Sequence, residues 1–204
     1  MTTSLLNSLL RALLRWGSAL VFCLPLRHRS HFWARACGML FPLLLLAQLL
    51  DPLAQSTTLW QQQLLLLVLY ISFFALLGGM IYLCTDINKK GALYCAVWSL
   101  LIAQCAYEGW CFLELQFTRY GHPLNMASPW AVPAQLLSGA VFFAAVYILL
   151  ARQLPYKGEY HIGPRQLFSA FFIGILFMVQ AAVLDNARAE HTPPSLTEIG
   201  RAHV

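Results

Sequence analysis

Six long apolar runs dominate the chain, at about residues 4 to 26, 36 to 53, 62 to 84, 92 to 114, 131 to 151 and 166 to 184. A helical run of about 20 apolar residues matches the roughly 30 Å hydrocarbon core of a bilayer. In hydrocarbon, each backbone N–H and C=O must be satisfied within its own segment or inside a closed barrel. A barrel needs strands of about 10 residues that alternate apolar and polar, a pattern these runs lack. The expected fold is therefore all-α, a polytopic transmembrane helical bundle of six spans. Composition points the same way: of 204 residues 59% are hydrophobic and 10% charged, against roughly 45–50% and 25% in soluble domains. The spans leave no room for a soluble domain beside them.

The net charge of +5 is concentrated in turns rather than on a surface that could bind nucleic acid. Arg27, Arg29 and Arg35 fall in the first turn, Lys89 and Lys90 in the third, and Arg152, Lys157 and Arg165 in the fifth. The second turn has no Lys or Arg, the fourth has only Arg119, and Arg188 follows the last run. The positive-inside rule then places the odd turns in the cytoplasm and the N-terminus outside. Arg11 and Arg15 interrupt the first run, which reads as a retained span rather than a cleaved signal peptide. Trp33, Trp60 and Trp130 fall where interfacial anchors belong. The expected setting is a plasma membrane, with the lipid bilayer as the first partner.

Ionisable residues inside a span mark candidate sites, because one at mid-bilayer costs about 2.5–3.5 kcal/mol on insertion scales. The fourth run carries Glu108, and Glu114 near its outer end. Gln104 lies four residues before Glu108 on the same helix face, with Tyr107 and Trp110 beside it, so an acidic, aromatic pocket is expected. Arg11 and Arg15, also four apart, are the candidate partners of Glu108 or Glu114 across the bundle; the competing reading is a purely structural ion pair. Gln48 and Gln180 suit interhelical hydrogen bonds. Small residues at fours, Ser99 with Ala103, Ala140 with Ala144 and Ala170 with Gly174, suggest close-packing faces, and Gly78 with Gly79 a kink or tight contact.

Motifs for soluble catalysis are missing: there is no P-loop, GxSxG, HExxH or glycine-rich nucleotide fingerprint. The six histidines lie in turns or the tail, and the six cysteines show neither CxxC nor zinc spacing, so no metal site is expected and the thiols read as reduced packing residues. An intramembrane peptidase would need a base near Ser99, Cys105 or Cys111, and no span supplies a histidine. A small transporter or permease is the alternative function. Paired interruptions in two halves would support it, but Pro42, near the middle of the second run, has no counterpart in the fifth.

The stretch "FCLPLRHRSHFWARA", with Leu24-Pro25-Leu26 followed by basic residues and Phe32, resembles the end of the first helix in the multi-span sensor regions of Firmicute GHKL-type histidine kinases. "YLCTDINKKGALYCAVWSLLIAQCAYE" and "ILLARQLPYKGEYHIGPRQLF" extend the likeness over about residues 5 to 185. The resemblance implies a bacterial signal-sensing membrane domain that feeds a cytoplasmic histidine kinase, with ATP and Mg bound in a kinase module beyond these residues, a homodimer, and a response regulator as downstream partner. No catalytic residue of such a module has a counterpart here. The expected organisation is a sensor domain over 1–185 and an outer polar loop over 186–198. Residues 199–204 match a translated sequencing adapter and are expected to be an artefact.

Overall fold

The computed structural model describes residues 2–55, 59–119, 130–153 and 163–176. Lys157, Gln180, the polar segment 186–198 and residues 199–204 lie outside them, as do the side chains of Trp60 and Arg119. Among the described residues every regular element is helical: α1 (Thr2–Cys23), α2 (Phe32–Gly38), α3 (Leu40–Gln55), α4 (Leu59–Cys84), α5 (Lys89–Arg119), α6 (Ala131–Leu149), a 3-10 turn over Ala151–Gln153, and α7 (Pro164–Leu176). Among the described residues three helices are long and apolar enough to cross a membrane: α4 over Leu67–Cys84, α5 over Lys89–Phe117, and α6. The 22-residue α1, which carries Arg11 and Arg15, is not one of the three.

Local chemistry explains the helix ends. Pro25 disfavours helical geometry at Leu24, so α1 stops at Cys23. The chain re-enters helix through His31, whose φ of 58° is the one positive value at a non-glycine among the described residues. Histidine is among the residue types found there more often than most. A break at Met39 divides the second apolar run into α2 and α3. Pro42 consequently falls in the first turn of α3 rather than mid-span, where its missing N–H breaks no helical hydrogen bond. At the start of α5 the Asn88 carboxamide oxygen accepts the Gly91 N–H at 2.7 Å, capping the helix.

The helix with charges in its middle is the hub of the bundle: α1 touches α3, α4, α5 and α6. The three membrane-length helices differ in burial: α5, with the lowest hydropathy, 1.2, is 56% buried, α4, with the highest, 2.2, is 39% buried, and α6, at 1.9, is 17% buried. The most deeply buried large side chains, Phe73, Leu43, Leu77, Met80 and Ile81, come from α3 and α4.

Small residues let helices approach. A Cβ at Gly139 would sit 3.1 Å from Leu14, one at Gly17 would meet the Phe143 ring at 2.9 Å, and one at Gly174 would lie 3.1 Å from Val97. Ser99, Ala103 and Ala170 are buried, in line with their expected packing role. Ala140 and Ala144, in contrast, face outward. The packing face of α6 runs instead through Gly139 and Phe143, because one residue of offset turns a helix face by about 100°. A Cβ at Gly78 or Gly79 would stand 3.5 Å from Ala96 or 3.9 Å from Met39, ordinary contact rather than the tight approach expected there.

Candidate functional site

The bundle has two polar regions, one at an end and one in its middle. At the end, the first and third turns lie against each other as a single antiparallel bridge between His28 and Thr85. The Arg29 N–H donates to the Cys84 carbonyl at 3.0 Å and the Asp86 N–H to the Arg27 carbonyl at 2.9 Å. Side chains reinforce it: Arg29 is 3.8 Å from the Asp86 carboxylate and 5.1 Å from the Tyr82 ring centre, and Arg35 Nη1 donates to the Leu83 carbonyl at 2.8 Å. The His28 ring stacks on Phe32 with centroids 4.1 Å apart. Exposed Lys89 and Lys90 follow within a few residues.

Arg152 comes to the same end. Gly139 meets Leu14 and Phe143 meets Gly17, so α6 runs parallel to α1 and its C-terminus reaches the level of Cys23. Six of the eight basic turn residues thus gather together: Arg27, Arg29, Arg35, Lys89, Lys90 and Arg152. Arg165 is exposed in the first turn of α7, and Lys157 is outside the described residues.

The middle region is built by α1, α4 and α5. Helical spacing puts Arg11 and Arg15 on one face of α1. By helix rise they lie roughly 18 and 12 Å from Cys23, near the middle of α1. Arg11 Nη2 donates to the Tyr107 hydroxyl at 3.0 Å, its guanidinium 5.0 Å from the Tyr107 ring centre. The Arg15 guanidinium sits 4.0 Å over the Phe73 ring. Together Arg11, Leu14, Arg15, Tyr70, Ala103, Gln104 and Tyr107 line a cavity of about 40 Å³. Beside it, Gln104 Nε2 donates to Glu108 Oε1 at 3.1 Å.

Four of the seven expected site residues, Arg11, Arg15, Gln104 and Tyr107, therefore line one cavity, and Glu108 joins them through Gln104. Glu114 and Trp110 lie further along α5 and are not part of the lining; Trp110 is buried and Glu114 half-buried. Two features differ from the expectation. The lining carries two guanidiniums and no carboxylate, so the pocket is cationic and aromatic rather than acidic. Arg15 meets the face of Phe73 on α4 in place of a carboxylate, while Arg11 reaches α5 directly at Tyr107. Tyr70 and Phe73 were not singled out: α4 is apolar all round, and nothing in its pattern says which face turns toward α1.

Among the described residues no three His, Cys, Asp or Glu side chains stand together in a way that would hold a metal ion. All six cysteines are free thiols. Comparison with known proteins returns no matching family model, no matching curated protein and no matching solved structure.

Proposed function

We propose that this chain is a signal-receiving membrane domain in which six helical segments cross the bilayer, the N-terminus lies outside, and the knit basic end faces the cytoplasm. The observation that carries the reading is the position of α1. Its middle supplies both arginines of the polar cavity, and its C-terminal end feeds the bridged basic turns. A perturbation at the cavity that rotates or slides α1 therefore reaches the cytoplasmic face without an extracellular domain, the helix-shift form of a two-state switch. The clustering of basic turns supports the orientation by the positive-inside rule.

The likeness to GHKL-type sensor regions supports a histidine kinase as the recipient of the signal, acting as a homodimer on a cytoplasmic response regulator in a bacterial membrane. In this reading ATP and Mg belong to the kinase module, and the present residues bind neither.

Spin labels at R27C and R152C, on a background with the six cysteines replaced, test the coupling in nanodiscs. Gln104→Leu at the cavity should shift the interlabel distance by about 1–2 Å or more, the scale of switching helix movements; an unchanged distribution overturns the receiving role. Gene sequence beyond the codon for Thr197 tests the kinase link. An in-frame dimerisation and ATP-binding module is expected, and its absence removes the kinase.

A further inference from the structure

We infer that the cavity between α1, α4 and α5 is a binding site for a small planar oxyanion, of which a carboxylate is the type, with the Arg15 guanidinium as its main anchor. The inference deepens the receiving role proposed above by naming the chemistry of what is received.

Arg15 is 8% exposed, and its Nη1 has no hydrogen-bond partner. The contact it does make, with the Phe73 ring, addresses the face of the guanidinium and leaves the in-plane N–H donors to be satisfied by something else. A buried charge in hydrocarbon calls for a counter-charge, and the cavity lining supplies none. Arg11, one helical turn away, adds a second positive charge to the same space. Like charges at this spacing repel, and an anion held at Arg15 would offset that repulsion.

Size and shape narrow the class. About 40 Å³ accommodates roughly three water-sized groups, the bulk of a carboxylate, bicarbonate or nitrate and too little for a sugar or a nucleotide. A guanidinium offers parallel N–H donors in a rigid plane, which suits two oxygens of a planar anion better than a spherical ion. The Gln104 side chain, 8% exposed, and Tyr70 complete the lining; one Gln104 Nε2 proton is committed to Glu108, which leaves Arg15 as the main donor. The anion could enter as a free ion from water or as the head of an amphiphile from the lipid; the coordinating chemistry is the same.

Equilibrium dialysis of the full chain against radiolabelled acetate in detergent, and against radiolabelled laurate in nanodiscs, separates these sources. Acetate binding identifies a free ion, and binding of laurate alone an amphiphile head; either supports the site provided Arg15→Lys weakens it about tenfold or more, the size expected for one charge-assisted hydrogen bond. Arg15→Lys keeps the positive charge and so guards against loss of folding. As a second readout, acetate at constant ionic strength should raise the melting temperature of the wild type and leave that of Arg15→Met unchanged. Binding of neither probe, or binding that Arg15→Lys leaves intact, overturns the inference and leaves water as the occupant. Acetate binding without any change in the R27C to R152C distance would keep the anion site and remove the receiving role; a distance change on Gln104→Leu without anion binding would do the reverse.

Discussion

The basic end of the bundle and its middle are both polar, yet they are held by different forces. At the basic end two turns exchange backbone hydrogen bonds, and the apolar layer beneath, with Leu77, Met80, Ile81, Cys84 and Cys95, is almost wholly buried. In the middle, guanidiniums rest on aromatic faces around a small cavity. Backbone pairing fixes a register, whereas cation–π contacts, at about 0.5–2 kcal/mol each, hold a side chain over a broad ring face. The comparison teaches that one helix, α1, can be anchored at one end and adjustable along its length, as a relay requires.

If the buried apolar layer is the firmer one, Leu77→Ala should cost the most. In the lipid setting proposed above, the penalty reduces to the cavity left behind, roughly 2 kcal/mol. Equilibrium unfolding in mixed micelles measures it. Tyr107→Phe removes the hydroxyl that accepts from Arg11 while keeping the ring, and should cost about 1 kcal/mol, within the range of interhelical hydrogen bonds in membranes. A larger loss for Tyr107→Phe than for Leu77→Ala would reverse the ranking of the two regions. Asp86→Asn should cost least, under about 0.5 kcal/mol, because its 3.8 Å pairing with Arg29 is largely exposed. The backbone bridge at Asp86 does not depend on the carboxylate, so a large loss there would mean that side chains, not main chain, join the turns.

Much of this arrangement is legible in the sequence, for identifiable reasons. The apolar runs stand out by length and composition, and Pro25 marks the end of α1 by local sterics alone. Arg11 with Arg15, and Gln104 with Tyr107, could be grouped because spacing along a helix determines which side chains share a face. What escaped was rotation and neighbourhood. In α4 no face stands out, so the inward turn of Tyr70 and Phe73 depends on tertiary packing; in α6 the polar Gln135, four residues before Gly139, marks the buried face that the pairing of Ala140 with Ala144 missed. The central place of α1 was legible only in hindsight: a helix carrying two arginines is poorly suited to face lipid, and the bundle surrounds it. Pro42 misled because the break at Met39 carries no strong sequence signal, and that break moves the proline from a mid-span position to a first turn.

The account depends on the first and third turns lying together on the cytoplasmic face, and site-directed cysteine labelling reads this directly. On the cysteine-replaced background, R27C and K89C should both resist a membrane-impermeant maleimide applied from outside intact cells, and both should react once the membrane is opened. Reaction of either position from outside, or of one without the other, would contradict the orientation and the relay through α1 that rests on it.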